Sequence, residues 1–380
     1  MDETVLVVIG TRPEAIKIAP LVCTLQRKEG IQVHLCLTGQ HREMVDEVLR
    51  LFELSADTKL SAMQPGQSLN GLHQRLVGQL ETLYAEVSPD VVVVHGDTAT
   101  CFAAATTAFQ NQVPVVHVEA GLRTGNISAP WPEEAYRRMV AVIAARHYAP
   151  TETTRNNLLK EGVREDDIAL TGNTVIDALL WMRQRLKKQQ WKPSEDGTLH
   201  GLRSQAKLIL VTAHRRENFG EGIFNISHAV ARLSRLYPEL DFVYPVHPNP
   251  NIGDVVRPIL SGIDNVFLTA PLDYPHFVWL MDRASLVLTD SGGVQEEAPS
   301  LNKPVLVLRD STERTEALCA GTICLVGKET ETIVAEAVRL LDEPRDYAAM
   351  AERPNPYGDG NASKLIADDL ALWLKGGVSK

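Results

Sequence analysis

Four short stretches of this chain hold side chains whose types and spacing suit chemistry on a phosphorylated ligand. The sharpest is Asp290-Ser291-Gly292-Gly293, which runs into Val294-Gln295-Glu296-Glu297-Ala298. Glycines let backbone N–H groups approach a phosphate closely, and a helix start adds partial positive charge. Glu297 lies one helical turn beyond Gly293 and faces the same side, where a carboxylate can accept both hydroxyls of a ribose. A plain strand-to-helix turn accounts for the glycines equally well; Ser291 and Glu297 argue for the ligand.

The second stretch is Gly10-Thr11-Arg12-Pro13-Glu14-Ala15-Ile16-Lys17. Pro13 suits a helix start, where its missing N–H costs nothing. Arg12 and Lys17 bracket the first turn and could hold anionic substrate atoms. The single glycine does not make the dinucleotide pattern G-x-G-x-x-G. The third group is acidic: Asp97, Glu119 and Glu133 each follow an apolar or proline-rich run. Asp97 and Glu119 end neighbouring apolar strands and are expected at one crevice, as a pair that raises each other's pKa for acid/base work. Of Glu133 and Glu134, one is expected to be only a helix N-terminal charge. The fourth is His214, after the run Leu208 to Thr212, where a protonated imidazole can stabilise a leaving phosphate. Arg215, Arg216 and Glu217 beside it are read as a salt-bridge cluster. His247 ends a further strand, and Arg314 could reach a nucleotide or its phosphates. Phe277 suits a uracil ring or the core equally. No metal-ligand spacing and no G-x-S-x-G elbow occurs.

The elements that must position these residues alternate. Val5–Ile9, Val33–Leu37, Val91–Val94 and Val113–Val118 are short and apolar on both faces, as in buried parallel strands. Amphipathic helical runs separate them: 14–27, 42–52, 69–86 and 98–110. A polar stretch from Lys187 to Gln205 reads as a connecting loop. A second series follows, with strands at 208–212, 242–244, 266–268, 286–288 and 305–308. The pattern is α/β: two Rossmann-like doubly wound domains in tandem, at 1–172 and 173–360. A last helix in 361–380 is expected to pack back on the first domain. Ligands of such sheets sit beyond the carboxyl ends of strands, so two domains set face to face would clamp a ligand across a cleft.

Composition narrows the partners. The 380 residues are 44% hydrophobic and carry a net charge of −10, with no basic block, which argues against a nucleic-acid binder. No apolar run approaches a membrane span, and Met1 to Gly10 does not read as a signal peptide. Five cysteines, an odd number, imply reduced thiols in a cytoplasmic protein and small core residues.

Nine ordered strings give the chain its resemblance: GTRPEAIK, TGQHREM, VHGDT, HVEAGLRTG, PWPEE, TGNTVIDAL, HRREN, TDSGGVQEEAPSL and NPYGDG. Together the chain resembles the non-hydrolysing UDP-N-acetylglucosamine 2-epimerases over nearly its whole length. The resemblance implies a glycosyltransferase-B-like fold. It also implies interconversion of UDP-N-acetylglucosamine and UDP-N-acetylmannosamine, through loss and re-addition of UDP by way of a 2-acetamidoglucal. It assigns Asp97, Glu119, Glu133 and His214 to catalysis, and Arg12, Lys17, Phe277, Ser291, Gly292, Gly293, Glu297 and Arg314 to substrate binding. Gln40, His41, Arg215 and His247 become candidates for an adjacent site at which the substrate activates its own turnover. No cofactor or metal is implied; a homodimer and a role in polysaccharide biosynthesis are. One departure is Thr315, where members often carry proline. A glycosyltransferase of the same fold and an epimerase of a modified UDP-sugar remain as alternatives.

Overall fold

In the computed structural model, residues 2–194, 197–203 and 206–376 are described. Glu195, Asp196, Ser204 and Gln205, part of the predicted connecting loop, lie outside them. The chain divides into two units, Met1–Ala178 with Tyr357–Lys380, and Leu179–Pro356.

The first unit runs β1 (Glu3–Ile9), α1 (Arg12–Leu25), β2 (Ile31–Leu37), α2 (Arg42–Leu51), β3 (Thr58–Lys59), α3 (Leu69–Val87), β4 (Val91–His95), α4 (Ala99–Gln110), β5 (Val115–Val118), α5 (Glu133–Ile143), β6 (Arg146–Ala149), α6 (Glu152–Lys160) and β7 (Ile168–Leu170). The strands form one parallel sheet in the order β3-β2-β1-β4-β5-β6-β7. Its inner strands are buried on both faces, as their valine-rich sequence requires. The order reverses between β1 and β4, so the ends of β1, β4 and β5 flank the switch point where such sheets bind ligands.

The helix α7 (Thr174–Lys188) leads into the second unit. There β8 (Leu208–Thr212), α8 (Glu221–Leu236), β9 (Asp241–Pro245), α9 (Pro250–Leu260), β10 (Val266–Thr269), α10 (Tyr274–Arg283), β11 (Ala284–Thr289), α11 (Gly292–Glu297), β12 (Val305–Val307), α12 (Thr315–Ala320), β13 (Ile323–Leu325), α13 (Thr330–Asp342) and α14 (Pro344–Ala351) follow. Its sheet is parallel too, in the order β10-β9-β8-β11-β12-β13. The helix α15 (Ala362–Lys375) belongs to the first unit, packs on α1 and pairs Lys28 with Asp368.

Several elements escape the hydrophobic pattern. β6 reads Arg-His-Tyr-Ala, yet His147 and Tyr148 are buried in the sheet. β3, β7 and β13 have two or three residues each, too few for a periodic signal. The cysteines depart from expectation in part. All five are free, but only Cys36 and Cys101 are buried, and Cys319 is exposed at the end of α12. No helix among the described residues is long and apolar enough to cross a membrane.

Candidate functional site

The site of the first unit begins at Thr11, the N-cap of α1, which accepts a hydrogen bond from the Glu14 N–H. Glu14 closes the capping box: its Oε2 accepts from the N–H of Gly10 (3.1 Å), the N–H of Thr11 (2.7 Å) and the Thr11 hydroxyl (2.8 Å). Its Oε1 accepts from the hydroxyl of Thr98, the N-cap of α4, at 2.6 Å. Burial drives the Glu14 carboxyl above its ordinary pKa, against these four donors. The ends of β1 and β4 are thereby tied together.

One helical turn on, Lys17 is ion-paired with Glu119, the residue after β5. Glu119 Oε2 also accepts from Asn173 Nδ2 at 3.0 Å and lies 3.6 Å from His95 Nε2. The backbone of Glu119 has φ 61°, a left-handed conformation that is uncommon for a residue with a side chain. Asp97 follows β4 after Gly96, itself at φ 67°. It is ion-paired with Arg137, whose other arm holds Glu134 at 3.0 Å.

A cavity of about 350 Å³ gathers these groups: Lys17, Gln40, His41, His95, Asp97, Glu119, Glu133 and Tyr136 all line it. The two strand-end carboxylates therefore do reach one crevice. Each also meets a cation of its own, Lys17 for Glu119 and Arg137 for Asp97. Glu133 and Glu134 divide as two successive residues on a helix must. Glu134 is fully buried and bound by Arg137 and the Thr124 N–H (3.1 Å), whereas Glu133 faces the cavity with its Oε2 buried and without a hydrogen-bond partner. Arg12, half-buried at the head of α1, is not among the lining residues.

Hydrophobic periodicity does not flag a histidine inside a buried strand, nor a strand as polar as β6. His95, His117 and His147 are buried on β4, β5 and β6, and His117 Nε2 bonds the Gly96 carbonyl at 2.7 Å. Burial lowers their pKa values to about 4, about 3 and about 4. Arg137 and Asn173 were missed as well. Arg137 lies one turn after Glu133, a spacing that could have flagged it, and Asn173 stands in the TGNTVIDAL string.

In the second unit, Asp290 follows β11 and is wholly buried. Its Oδ2 accepts from the N–H groups of His214 and Arg215, both at 2.8 Å, and from Asn218 Nδ2 at 2.9 Å. The imidazole of His214 stacks on that of His247, with centroids 5.7 Å apart and planes 12° off parallel. Partial burial lowers the pKa of His214, Asp290 raises it, and Arg215 and His247 lower it further. Gly292 and Gly293 open α11. A β-carbon on Gly292 would come within 3.1 Å of the Arg314 guanidinium, and one on Gly293 would lie 3.8 Å from Glu297 Oε2. Ser291, Gly292, Gly293, Glu297 and Arg314 are thus neighbours. Arg314 is also paired with Glu296 (2.7 Å) and Glu313 (2.9 Å). Phe277 is half-buried on α10.

The expected cluster of Arg215, Arg216 and Glu217 does not form. Residues 216–218 make a 3₁₀ turn that points successive side chains apart. Glu217 pairs with Arg309, and Arg215 lies 3.9 Å from Glu313. Glu313, held between Arg314 and Arg309, has its pKa lowered to about 2, although burial opposes the shift. Among the described residues no group of His, Cys, Asp or Glu is arranged to hold a metal.

A profile of the UDP-N-acetylglucosamine 2-epimerase family matches residues 23–371. The chain belongs to that family. It is 51% identical over 367 residues to the UDP-N-acetylglucosamine 2-epimerase of Escherichia coli K12, covering 96% of this chain and 98% of that one. The crystal structure of the Neisseria meningitidis UDP-GlcNAc 2-epimerase bound to UDP-GlcNAc is similar at TM-score 0.89 and 49% identity, covering 97% of this chain and 100% of that one. The Methanocaldococcus jannaschii epimerase in complex with UDP-GlcNAc and UDP is similar at TM-score 0.80 and 31% identity, covering 97% and 99%. A glycotransferase of kitacinnamycin, 13% identical at TM-score 0.64 over 98% and 99% of the chains, shares the fold alone. As a member of the epimerase family the chain is an enzyme with two α/β domains of the glycosyltransferase-B type.

Proposed function

We propose that this enzyme interconverts UDP-N-acetylglucosamine and UDP-N-acetylmannosamine without releasing free sugar. The observation that carries the reading is the cavity at the ends of β4 and β5. It gathers Asp97, Glu119 and Glu133 around one space, and the Glu133 carboxylate has a buried oxygen that no group among the described residues bonds. A sugar-binding protein that did no chemistry would not require three carboxylates there.

The hydrogen on C2 of the sugar is too weakly acidic to be removed alone at neutral pH. Breaking the C1–O bond sends an electron pair out with UDP and builds positive charge at C1, which acidifies C2. One carboxylate takes the C2 proton, and the C2–H electron pair becomes the second bond of a C1=C2 double bond, a 2-acetamidoglucal. A carboxylic acid on the other face then gives a proton back to C2, and a phosphate oxygen of UDP re-forms the bond to C1. Nothing is oxidised or reduced overall. In the first unit, Asp97, Glu119 and Glu133 are the acid/base set, and Lys17 with Arg12 offers positive charge. In the second unit, Ser291, Gly292 and Gly293 present backbone N–H groups to the diphosphate. Glu297 takes the ribose hydroxyls, Phe277 the uracil and Arg314 the nucleotide. His214, when protonated, stabilises the departing phosphate.

Incubation with UDP-N-acetylglucosamine in heavy water tests the reading. Deuterium at C2 of both UDP-sugars is expected. Release of free N-acetylmannosamine with UDP would mean hydrolysis, and retention of protium at C2 with transfer to an added acceptor would mean a transferase.

A further inference from the structure

The buried carboxylate of Asp290 uses its two oxygens unequally. Oδ2 takes three donors, two of them the backbone N–H groups of the loop that carries His214. Oδ1 is buried with no hydrogen-bond partner and stands 3.6 Å from His214 Nδ1. The loop is fixed on both sides of this contact. Thr212 and Thr289, the last residues of adjacent β8 and β11, share a hydroxyl bond of 2.6 Å, and the Asp290 N–H donates to the Thr212 carbonyl at 3.0 Å. Tyr244 donates its hydroxyl to the Ala213 carbonyl at 2.9 Å. A small turn of the imidazole brings Nδ1–H onto Oδ1, an unused acceptor beside it.

We propose that Asp290 is a positioning residue for His214. It holds the neutral ring with its proton on Nδ1 and turns Nε2 outward, so that Nε2 is the atom that takes up and gives back a proton at the substrate. A buried carboxylate behind an imidazole fixes its tautomer and supports its charged form. The charged and titratable groups that face His214 are Asp290 after β11, Arg215 on its own loop and His247 after β9. Of these, Asp290 favours the imidazolium, and Arg215 and His247 oppose it. The catalytic consequence rests on the reading of His214 as the group at the diphosphate; the tautomer does not.

The test uses the full-length chain labelled with ¹⁵N-histidine, with the His214 signals assigned by their loss in His214→Asn. In the wild type the neutral ring is expected to carry its proton on Nδ1 and not on Nε2. Asp290→Asn keeps the shape: its amide oxygen can serve the three donors while its NH₂ faces Nδ1. The proton is then expected on Nε2, with a lower His214 titration midpoint. kcat should fall at least about a hundredfold, with KM changed no more than about threefold. A wild-type ring protonated on Nε2, or a tautomer that does not respond to Asp290→Asn, would overturn the proposal. Should Asp290→Asn fail to fold, the wild-type tautomer alone decides. Because the NMR result is read without turnover, it stands apart from the heavy-water test of the function.

Discussion

Lys17 and Glu119 are ion-paired, joining the first turn of α1 to the end of β5. Both side chains are largely buried, at 15% and 14% exposure, and the carboxylate has Asn173 and His95 beside it as well. A carboxylate held by a cation and an amide keeps one orientation, which a proton-transfer group needs. Lys17→Met is therefore expected to lower kcat by at least about tenfold even if UDP-sugar still binds, while Lys59→Met, at an exposed lysine paired with Asp46, should do nothing. Steady-state kinetics of both variants check this.

Glu133 and Glu134 should separate activity from stability. Glu133→Gln is expected to cut turnover by a factor on the order of 10² to 10⁴ and leave the urea midpoint unchanged. Glu134→Gln weakens a fully buried ion pair with Arg137 and should lower the midpoint. Arg137→Met, which strips both Glu134 and Asp97 of their cation, should cost about 3–5 kcal/mol. Equal unfolding curves for wild type and Arg137→Met would refute the structural half of this pair.

Asp97→Asn and Glu119→Gln are each expected to reduce epimerisation about a hundredfold or more, read by NMR of the two UDP-sugars. Turnover within a few-fold of wild type for either would remove that residue from the acid/base set.

The three strand histidines set a pH dependence. A group whose folded pKa is depressed leaves the unfolded chain binding more protons in the window between the two values. His95, His117 and His147 fall from 6.5 to about 4, about 3 and about 4, so their contribution is fully present above pH 6.5 and is lost as pH falls toward 4. Urea unfolding of the wild type should show stability declining from pH 7 to pH 4.5. His147→Gln should decline less steeply over the same range, since one of the three protons is gone.

Gly292→Ala places a methyl group against the Arg314 guanidinium. UDP affinity, measured by calorimetry, should fall about tenfold, equivalent to about 1.4 kcal/mol. Gly253→Ala, on α9 with only Arg257 Nε at 3.8 Å, serves as the control and should leave UDP binding unchanged.

What the sequence made legible follows from what periodicity can carry. The valine-rich strands β1, β2, β4 and β5 and the first residues after them were readable, because a doubly wound sheet puts ligands at those ends. Lys17, Asp97 and Glu119 were found that way, Glu133 from its place after a proline-rich run and from the family resemblance, and one cavity gathers them. His95, Arg137 and Asn173 were not found, since a strand histidine and a mid-helix arginine look ordinary until the fold brings them to a carboxylate. Glu217 shows the opposite error. Neighbours in sequence looked like partners, but a tight turn sent the side chain to Arg309. Glu297 and Gly293 were paired correctly because one helical turn fixes their distance without tertiary information.

Glu14 has a consequence for how the two similar halves differ. The head of the first helix in such a fold is where a nucleotide's phosphate commonly rests. Here that place is already occupied by the chain's own carboxylate, with four donors committed to it. An incoming phosphate would have to displace that carboxyl group from its four donors. The repeated design is made asymmetric at this place by one side chain.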